Sequence, residues 1–373
     1  MASTKDSMSE PDTVKIPVAL EALLANEAAD AERQGTLTDR QLEIIYAQKW
    51  FKLFVPKSLG GLELGLVEAL QLEEHLARID GSLGWTVTLC SGATMFVGFL
   101  EKEVAGPLFE NRQVCFGGSG MASGTAALID DGYLVSGDWK YATGAPHLSV
   151  FTANCRLVQD DGTALLDGDG RELVRSFFFL PGEVVLNADW HTMGLVATAG
   201  HSFRVAQAKV PKNRCFHLVP EAATIDHLIY RYPFLPFAEA TLAVNTLGMV
   251  QHFLSLCQKH MARKKMALGH DAPMPALEWQ LLGTCVGQLA DLRTKFYEVV
   301  RQSWEAVVLG TDGHEANALF GRVGQQSRLL VKEAREMAFR LFPYMGMYGA
   351  DPSSDINRVW RDIFTASQHT LLR

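Results

Sequence analysis

The spacing of hydrophobic positions changes twice along the chain of 373 residues. From residue 18 to residue 110, apolar residues recur every three or four positions, as along one face of a helix. From about Val114 to Val210 apolar and polar residues alternate, which predicts short β-strands separated by turns rich in Gly and Asp. After Val210 the helical period returns. The pattern therefore predicts helices, then strands, then helices again.

Domain boundaries are expected where the period changes. We predict an N-terminal helical domain at residues 1–112, a central β-domain at 113–218 and a C-terminal helical domain at 219–373. No helix of useful length interrupts the strands, so an antiparallel barrel or sandwich is expected. Four long amphipathic segments follow and predict an up-and-down four-helix bundle. The fold class is therefore α+β and mostly α.

One uncharged stretch, Gly81 to Leu100, is about as long as a membrane span. Charged residues flank it at Asp80 and Glu101, and it contains several Ser, Thr and Gly residues. A buried helix explains this composition better than a span does. Residues 1–15 are polar and show no signal peptide.

The stretch Gly132–Gly144 reads GYLVSGDWKYATG. Large side chains alternate along two short runs, namely Tyr133 and Val135, then Trp139 and Tyr141. Ser136-Gly137-Asp138 lies between the runs, which predicts a β-hairpin. The second run ends at Thr143, a hydroxylated residue followed by turn formers. Aromatic rings beside a hydroxyl group on a rigid strand suit the edge of a flat heterocycle, although an ordinary half-buried hairpin is the simpler interpretation.

Composition excludes several classes of protein. A hydrophobic share of 48% with 20% charged residues is typical of a soluble globular protein, and the net charge of −8 argues against nucleic acid as the main partner. The six cysteines are scattered without a C-x-x-C pair, which indicates reduced thiols in a cytoplasmic protein. The eleven histidines show no metal-ligand spacing such as H-E-x-x-H, so no metal is expected.

Short segments in a characteristic order carry a family resemblance. They are Val55-Pro56 with Gly60-Gly61, the run 77–82 (ARIDGS), the strand region described above, Gly194-Leu195 with Thr198, Val210-Pro211, and the run 358–362 (RVWRD). In this order, over nearly the whole chain, they resemble the acyl-CoA dehydrogenase superfamily of flavoproteins.

The resemblance implies a flavin, either FAD or FMN, between the β-domain and the bundle. Tyr141 would lie beside the isoalloxazine ring, and the Thr143 hydroxyl would hydrogen-bond flavin N5, where a fixed polar group tunes the flavin. Further cofactor contacts are expected from Ser119, Ser123, Gly144, Thr198 and Arg361. The first two lie in the Gly-rich run 117–124, which strands rather than a helix follow; it fails as a dinucleotide fingerprint and is interpreted as a flexible loop over the ligand.

The usual catalytic base of the dehydrogenases is missing. In most members a Glu follows the Arg-Asp pair near the C-terminus, whereas no acidic residue follows Asp362 in this chain. Some members place the Glu early in the first bundle helix. Glu239 lies within one residue of that position, but the best register puts Ala238 there, and a shift of one residue turns a helical side chain by about 100°. A solvated or ion-paired Glu239 is the simpler interpretation.

The C-terminus resembles instead the flavin-dependent monooxygenase branch of the superfamily, through the run 359–362 followed by Ala366-Ser367-Gln368-His369. Members of this branch take reduced flavin from a separate reductase and oxygenate an aromatic or amine-type substrate. His369 is the expected catalytic residue together with Thr143, because an imidazole can exchange a proton near neutral pH. Trp85 and His147 are expected to contact the substrate.

Three hypotheses follow. The first is a monooxygenase of the two-component type that acts on a small molecule and needs a reductase. The second is an acyl-CoA dehydrogenase or oxidase with Glu239 as base, and the third is a non-catalytic flavin-binding or scaffold protein. Relatives pack their bundles into dimers or tetramers, so a homo-oligomer is expected, with no nucleic-acid or membrane partner.

Overall fold

The computed structural model describes residues 15–268, 276–311 and 313–373. The N-terminal part contains five helices: α1 Val18–Gln34, α2 Asp39–Ala47, α3 Leu66–Ile79, α4 Gly81–Thr94 and α5 Lys102–Glu110. Seven strands follow: β1 Phe116–Ile129, β2 Gly132–Ala142, β3 Val150–Val158, β4 Val174–Phe179, β5 Val185–Asn187, β6 His201–Pro211 and β7 Cys215–Phe216. The C-terminal part contains α6 Leu228–Arg231, α7 Phe234–Leu268, α8 Ala276–Val308, α9 Gly313–Leu341, α10 Gly346–Ala350 and α11 Asp355–Ala366. This order of helices, sheet and helices confirms the predicted three-part fold.

Local sequence signals explain where the N-terminal helices begin. Thr38 and Gln41 form a reciprocal capping box at the start of α2, as the sequence predicts. Asp80 separates α3 from α4 and accepts a hydrogen bond from the backbone N–H of Leu83 (2.8 Å), which satisfies a free donor of the first turn of α4. Helix α4 is buried on almost every side, which explains its lack of charge.

Two helical stretches are long and apolar enough to resemble membrane spans, Gly81–Phe99 and Phe234–Ala267. In each of them 83% of the most apolar window is buried inside the protein. Both stretches therefore have the burial of core helices, and the first is the buried helix expected from its sequence.

The sheet has the strand order β5-β6-β2-β1-β3-β4-β7. Its pairs are antiparallel except for β1 and β3, which run parallel from Phe116 opposite Val150 to Ala127 opposite Val158. The expectation of a purely antiparallel domain therefore needs one correction. Strand β2 runs antiparallel to β1, and residues 143–149 then carry the chain to the other side of β1, so β3 runs in the same direction as β1.

The prediction of a hairpin within Gly132–Gly144 is wrong. Residues Gly132–Ala142 form one continuous strand, β2. The two-residue turn is Asp130-Asp131, which joins β1 to β2 with Ile129 opposite Gly132. Gly137 serves packing instead: a Cβ there would lie 2.6 Å from the indole of Trp139. The Trp139 ring is fully buried and stacks on Phe203. The glycine thus admits a large indole beside the sheet rather than turning the chain.

The Gly-rich run 117–124 is likewise part of strand β1 and not a flexible loop. The β1–β3 register shifts between Ser119 and Gly124, which marks an irregularity in the strand. A Cβ at Gly118 would lie 1.8 Å from the carbonyl oxygen of Thr152 on β3. The glycines therefore let two backbones approach closely at the face of the sheet that points to the bundle.

Helices α7, α8, α9 and α11 correspond to the four predicted amphipathic segments. The predicted apolar stripe on α8 is largely buried, including Leu282, Cys285, Leu289 and Phe296. Helix α7 is the central member, since it contacts α3 and α4 as well as α8, α9 and α11. Its first turns consequently lie between the N-terminal helices and the sheet.

The close approach of β1 and β3 predicts that a side chain at Gly118 destabilises the fold. We expect Gly118→Ala to destabilise the fold by about 1–3 kcal/mol, because the new methyl group overlaps a backbone oxygen that cannot move alone. Gly120→Ala is the matched control, since a Cβ at Gly120 meets no atom within 4 Å. Thermal unfolding of the two variants measures the difference, and equal melting temperatures would contradict the packing argument.

Candidate active site

A cavity of about 190 Å³ lies between the sheet and the helices. Its walls come from α4, from β1 and β3, from the first turns of α7 and from the C-terminal residues after α11. The aromatic rings of Phe96, Phe234 and Phe237 and the glycine backbone of β1 make most of the wall apolar. Polar groups reach it at few points, which is the usual composition of a small-molecule site.

Thr143 lines this cavity immediately after β2. Its side chain is nearly buried, and its hydroxyl group forms no hydrogen bond with the residues that the structure describes. Tyr141, two residues earlier, has a φ of +70°, which strains a bulky residue and turns the strand end away from the regular ladder. A free hydroxyl group is thus held at the cavity wall by a distorted strand end.

A chain of hydrogen bonds fixes this strand end to helix α11. The backbone N–H of Gly144 donates to the carbonyl of Thr198 (2.7 Å), and the Thr198 hydroxyl donates to the carbonyl of Leu195 (2.8 Å). The backbone N–H of Leu195 in turn donates to Oδ1 of Asp362 (2.5 Å). Gly194 allows this contact, since a Cβ there would lie 2.2 Å from the backbone of Arg361.

Asp362 is a buried acid in a crowded electrostatic environment. Burial and the neighbouring carboxyl of Asp80 raise the pKa of its carboxyl group to about 8, although the Leu195 hydrogen bond and Arg358 act in the opposite direction. Oδ2 of Asp362 has no hydrogen-bond partner among the described residues. The acid is therefore held mainly protonated at neutral pH, and it anchors the segment that supports Thr143.

His369 reaches the same cavity from the C-terminal end of the chain. Its ring packs edge-on against Trp85, with 6.1 Å between ring centroids. Nδ1 accepts a hydrogen bond from the backbone N–H of Leu371 (3.3 Å), so the proton of the neutral ring resides on Nε2. Burial lowers the pKa of His369, which keeps the imidazole neutral at pH 7. The side chain is accordingly a hydrogen-bond donor through Nε2–H.

Further polar residues at the wall have no recognisable sequence motif. Asn154 and Ser176 line the cavity from β3 and β4, and the Ser176 hydroxyl donates to Oδ1 of Asn154 (2.7 Å). Thr88 and Thr241 face it from α4 and α7, and Nδ2 of buried Asn245 donates to the Thr88 hydroxyl (2.8 Å). These pairs join different elements, so only the tertiary structure brings them together.

Ser119 lines the cavity, whereas the side chains of three other predicted cofactor contacts bond to protein groups. The Ser123 hydroxyl donates to the carbonyl of Asp138 (2.7 Å). Arg361 forms an ion pair with Glu32. Thr198 is buried with its hydroxyl turned to Leu195, so it supports the strand end instead of lining the cavity. The side chains of these three residues already form bonds with other protein groups.

The remaining predicted residues surround the site without lining it. Gly144 follows Thr143 with a φ of +76°, and exposed Tyr141 meets Trp190 edge-on at 6.1 Å. Trp85 supports the ring of His369 from behind. His147 lies on the far side of the Thr143 segment, where it stacks on Phe51. Neither Trp85 nor His147 is among the residues that line the cavity, so the structure does not place them as substrate contacts.

Glu239 is directed away from the cavity. Its carboxylate pairs with Arg328 on α9, whereas the preceding residue, Ala238, lines the cavity. This is the ion-paired arrangement that the helix register indicates. The site consequently lacks the carboxylate base of a dehydrogenase among the residues lining its wall.

A flavin fits the groups that are present. A flat, uncharged heterocycle matches apolar aromatic walls, and the unpartnered Thr143 hydroxyl provides the single directional contact at its edge. The glycine backbone of β1 allows a planar ring to approach without side-chain obstruction. The donor set contains no competing charge at the wall.

The fold and this cavity define a class of flavoprotein oxidoreductases built from two helical parts and a central sheet. The chain belongs to the acyl-CoA dehydrogenase superfamily: residues 18–102 match the model of the acyl-CoA dehydrogenase N-terminal domain, and residues 240–373 match that of the C-terminal domain.

Several similar proteins are named monooxygenases. The chain is 23% identical over 346 residues to indole-3-acetate monooxygenase from Pseudomonas putida, covering 91% of this chain and 85% of that protein. It is 21% identical over 273 residues to the flavin-dependent monooxygenase oxygenase subunit HsaA of Mycobacterium tuberculosis, covering 70% of this chain and 67% of that protein.

Solved structures show the same fold. The HsaA monooxygenase from M. tuberculosis superposes with a TM-score of 0.86 at 19% identity, covering 95% of this chain and 93% of that chain. XiaF from Streptomyces sp., solved with FADH2 and glycerol, gives 0.82 at 20% identity, covering 95% and 90%. The predicted superfamily is confirmed, and these similar proteins carry the name of monooxygenases.

The buried acid predicts a pH dependence of stability. Because the pKa of Asp362 is raised in the folded state, its contribution favours folding at low pH and is lost as pH rises through about 8. Asp362→Asn keeps the acceptor for Leu195 but cannot ionise. We expect the variant to gain roughly 1–3 kcal/mol relative to wild type between pH 5 and pH 8.5. Asp351→Asn, at an exposed loop position, is the control. Parallel unfolding curves for wild type and Asp362→Asn across this range would contradict the assignment.

Proposed function

We propose that the protein is the oxygenase component of a two-component flavin-dependent monooxygenase that acts on a small aromatic or amine-type substrate. The observation that carries the proposal is the meeting of Thr143 and His369, from distant parts of the chain, at one apolar cavity whose wall lacks a carboxylate base. The names of the relatives support the same class of reaction.

The Thr143 hydroxyl group would form a hydrogen bond with the reactive edge of the flavin ring. Its hydroxyl group is free of protein partners, and the Asp362–Leu195–Thr198–Gly144 chain fixes its position. A positioned hydroxyl can both donate and accept a hydrogen bond. Reduced flavin, when bound, supplies the electrons for the reduction of O2.

His369 would hold a proton at Nε2 and present it to an oxygen atom in the cavity. The Leu371 N–H bond to Nδ1 favours this tautomer, and the contact with Trp85 limits rotation of the ring. A donor held in a mainly apolar space stabilises a developing oxyanion more than the same donor in water. A role of His369 as hydrogen-bond donor therefore agrees better with its tautomer than a role as base.

The apolar walls would exclude water from the reaction. Phe96, Phe234 and Phe237 form one side, and Thr88 and Thr241 offer polar anchors on the other. Such a division suits a small substrate with one or two polar groups. Exclusion of water also protects reduced flavin from unproductive loss of its electrons as hydrogen peroxide.

Partners follow from the same proposal. The chain would receive reduced FAD or FMN from a separate reductase, as expected for an oxygenase component. Exposed apolar residues on the outer bundle helices, including Val286, Leu329 and Phe339, support assembly into a homo-oligomer. Six free cysteines agree with a cytoplasmic location.

An assay with isotopic oxygen tests the proposal. The purified protein is supplied with chemically reduced FAD or FMN, 18O2 and panels of indoles, phenols and tertiary amines. We expect one 18O atom in the product with at least one substrate class. Failure to incorporate the label across the panels, together with bleaching of oxidised flavin by acyl-CoA under anaerobic conditions, would favour the dehydrogenase hypothesis instead.

The role of His369 predicts a specific kinetic defect. We expect His369→Ala to lower product formation roughly 10²-fold and to raise hydrogen peroxide release, because the oxyanion loses its donor. Affinity for reduced flavin should change little. The neighbouring exposed Gln368→Ala is the matched control and should behave as wild type. Equal product yields from His369→Ala and Gln368→Ala would remove His369 from the mechanism.

The role of Thr143 predicts a binding defect. Thr143→Val preserves the shape of the side chain but removes the hydroxyl group, so we expect reduced flavin to bind about five- to tenfold more weakly, the equivalent of about 1 kcal/mol. Thr143→Ser should restore most of the affinity. Equilibrium titration of protein fluorescence with reduced flavin measures both, and identical affinities for the three proteins would contradict the contact.

A further inference from the structure

Two cysteine side chains and one histidine side chain, all able to bind a metal ion, lie close together near the strand end that carries Thr143. The thiol groups of Cys90 and Cys115 and a ring nitrogen of His147 all lie within 4.8 Å of one another. Cys90 belongs to α4, Cys115 immediately precedes β1, and His147 follows Gly144. These residues are far apart in the sequence, so no ligand spacing marks them.

The cluster is a closed environment. Both cysteine side chains are fully buried, and both ring nitrogens of His147 are buried without a hydrogen-bond partner among the described residues. An imidazole with neither nitrogen paired carries a large desolvation cost. The orphaned nitrogens therefore point to a ligand that the protein chain itself does not supply.

Gly144 lets two of the donors approach the backbone closely. A Cβ at this position would lie 2.6 Å from Nε2 of His147 and 3.1 Å from Sγ of Cys90. The absence of a side chain at Gly144 thus allows the imidazole and the thiol to lie side by side against the chain. The ring of His147 is held in place by stacking on Phe51, with 5.6 Å between centroids and 15° between planes.

We propose that Cys90, Cys115 and His147 form a three-ligand site for a thiophilic ion, Zn²⁺, with the fourth coordination position left to a non-protein ligand. Two thiolates and one imidazole are a preferred donor set for zinc, which binds sulfur at about 2.3 Å and nitrogen at about 2.0 Å. Closing the three donors around one ion requires side-chain shifts of only about 1 Å. Magnesium and calcium are unsuited because the cluster offers no carboxylate ligand.

Such an ion would stabilise the catalytic cavity indirectly. It would link α4, the start of β1 and the turn after Thr143. These elements also meet through apolar packing, through the hydrogen bond from the Phe116 backbone N–H to the Thr94 hydroxyl (3.1 Å) and through the weak contact between the Cys90 thiol and the Thr143 carbonyl (3.7 Å). The ligands do not line the cavity, so the site is separate from flavin and substrate. Its test therefore needs no turnover.

Metal content of the intact protein tests the proposal. The protein is produced in zinc-supplemented medium, purified with a reducing agent, passed over a chelating resin and analysed by mass spectrometry for zinc. We expect about one zinc per chain. Cys115→Ser and His147→Asn should each lower the zinc content at least about tenfold, while Cys257→Ser, which removes another buried free cysteine, should retain it.

A second measurement uses wild-type protein, so its result does not depend on whether the variants fold. Wild-type protein produced with Co²⁺ instead of zinc should show the thiolate-to-cobalt charge-transfer absorption of a site with cysteine ligands. Wild type without zinc above background and without this absorption would overturn the proposal. So would a Cys90–Cys115 disulfide, seen as a mass loss of two hydrogens in the intact chain, or equal zinc content in Cys115→Ser and Cys257→Ser.

Discussion

The candidate site depends on one buried contact, the hydrogen bond from the Leu195 backbone to Asp362. It joins the last long helix of the bundle to the loop before β6, and Thr198 and Gly144 extend it to the strand end. Because the acid is buried, the contact is strong but sensitive to ionisation. Thr143 is consequently held by the bundle as well as by the sheet. A hydroxyl group needs such fixation to act as a specific partner for a flat cofactor.

The same arrangement explains why the chemistry differs from that of a dehydrogenase on a shared fold. Thr143 lines the cavity, but Glu239 pairs with Arg328 and leaves the lining residues without a carboxylate. His369 enters from the C-terminal turn and carries its proton on Nε2. In the proposed reaction a neutral imidazole would stabilise oxygen, where a carboxylate base would abstract a proton from carbon. A few side chains at the wall can thus change the chemistry that a shared fold supports.

Glycine in the β-domain shows how sequence signals can mislead. Gly137 and the run 117–124 resemble a turn and a loop, yet both lie within strands. Their function is close packing: one admits the Trp139 ring and the other lets β1 approach β3. A glycine looks the same in the sequence whether it allows a turn or a close contact between two backbones. Only the neighbouring strand distinguishes the two.

The sequence by itself determined the order of helices and strands and the burial of α4, while the family resemblance implied the superfamily and a common site for Thr143 and His369. Periodicity encodes helices and strands because it depends on near neighbours in the chain, whereas Thr143 and His369 come from distant parts of it. The tertiary structure decided which polar side chains remain free. Arg361 and Ser123 are paired with distant residues, whereas Cys90 and Cys115 are brought to His147 without any sequence spacing. Such contacts depend on packing between elements, and a single sequence does not record which partners the fold brings together.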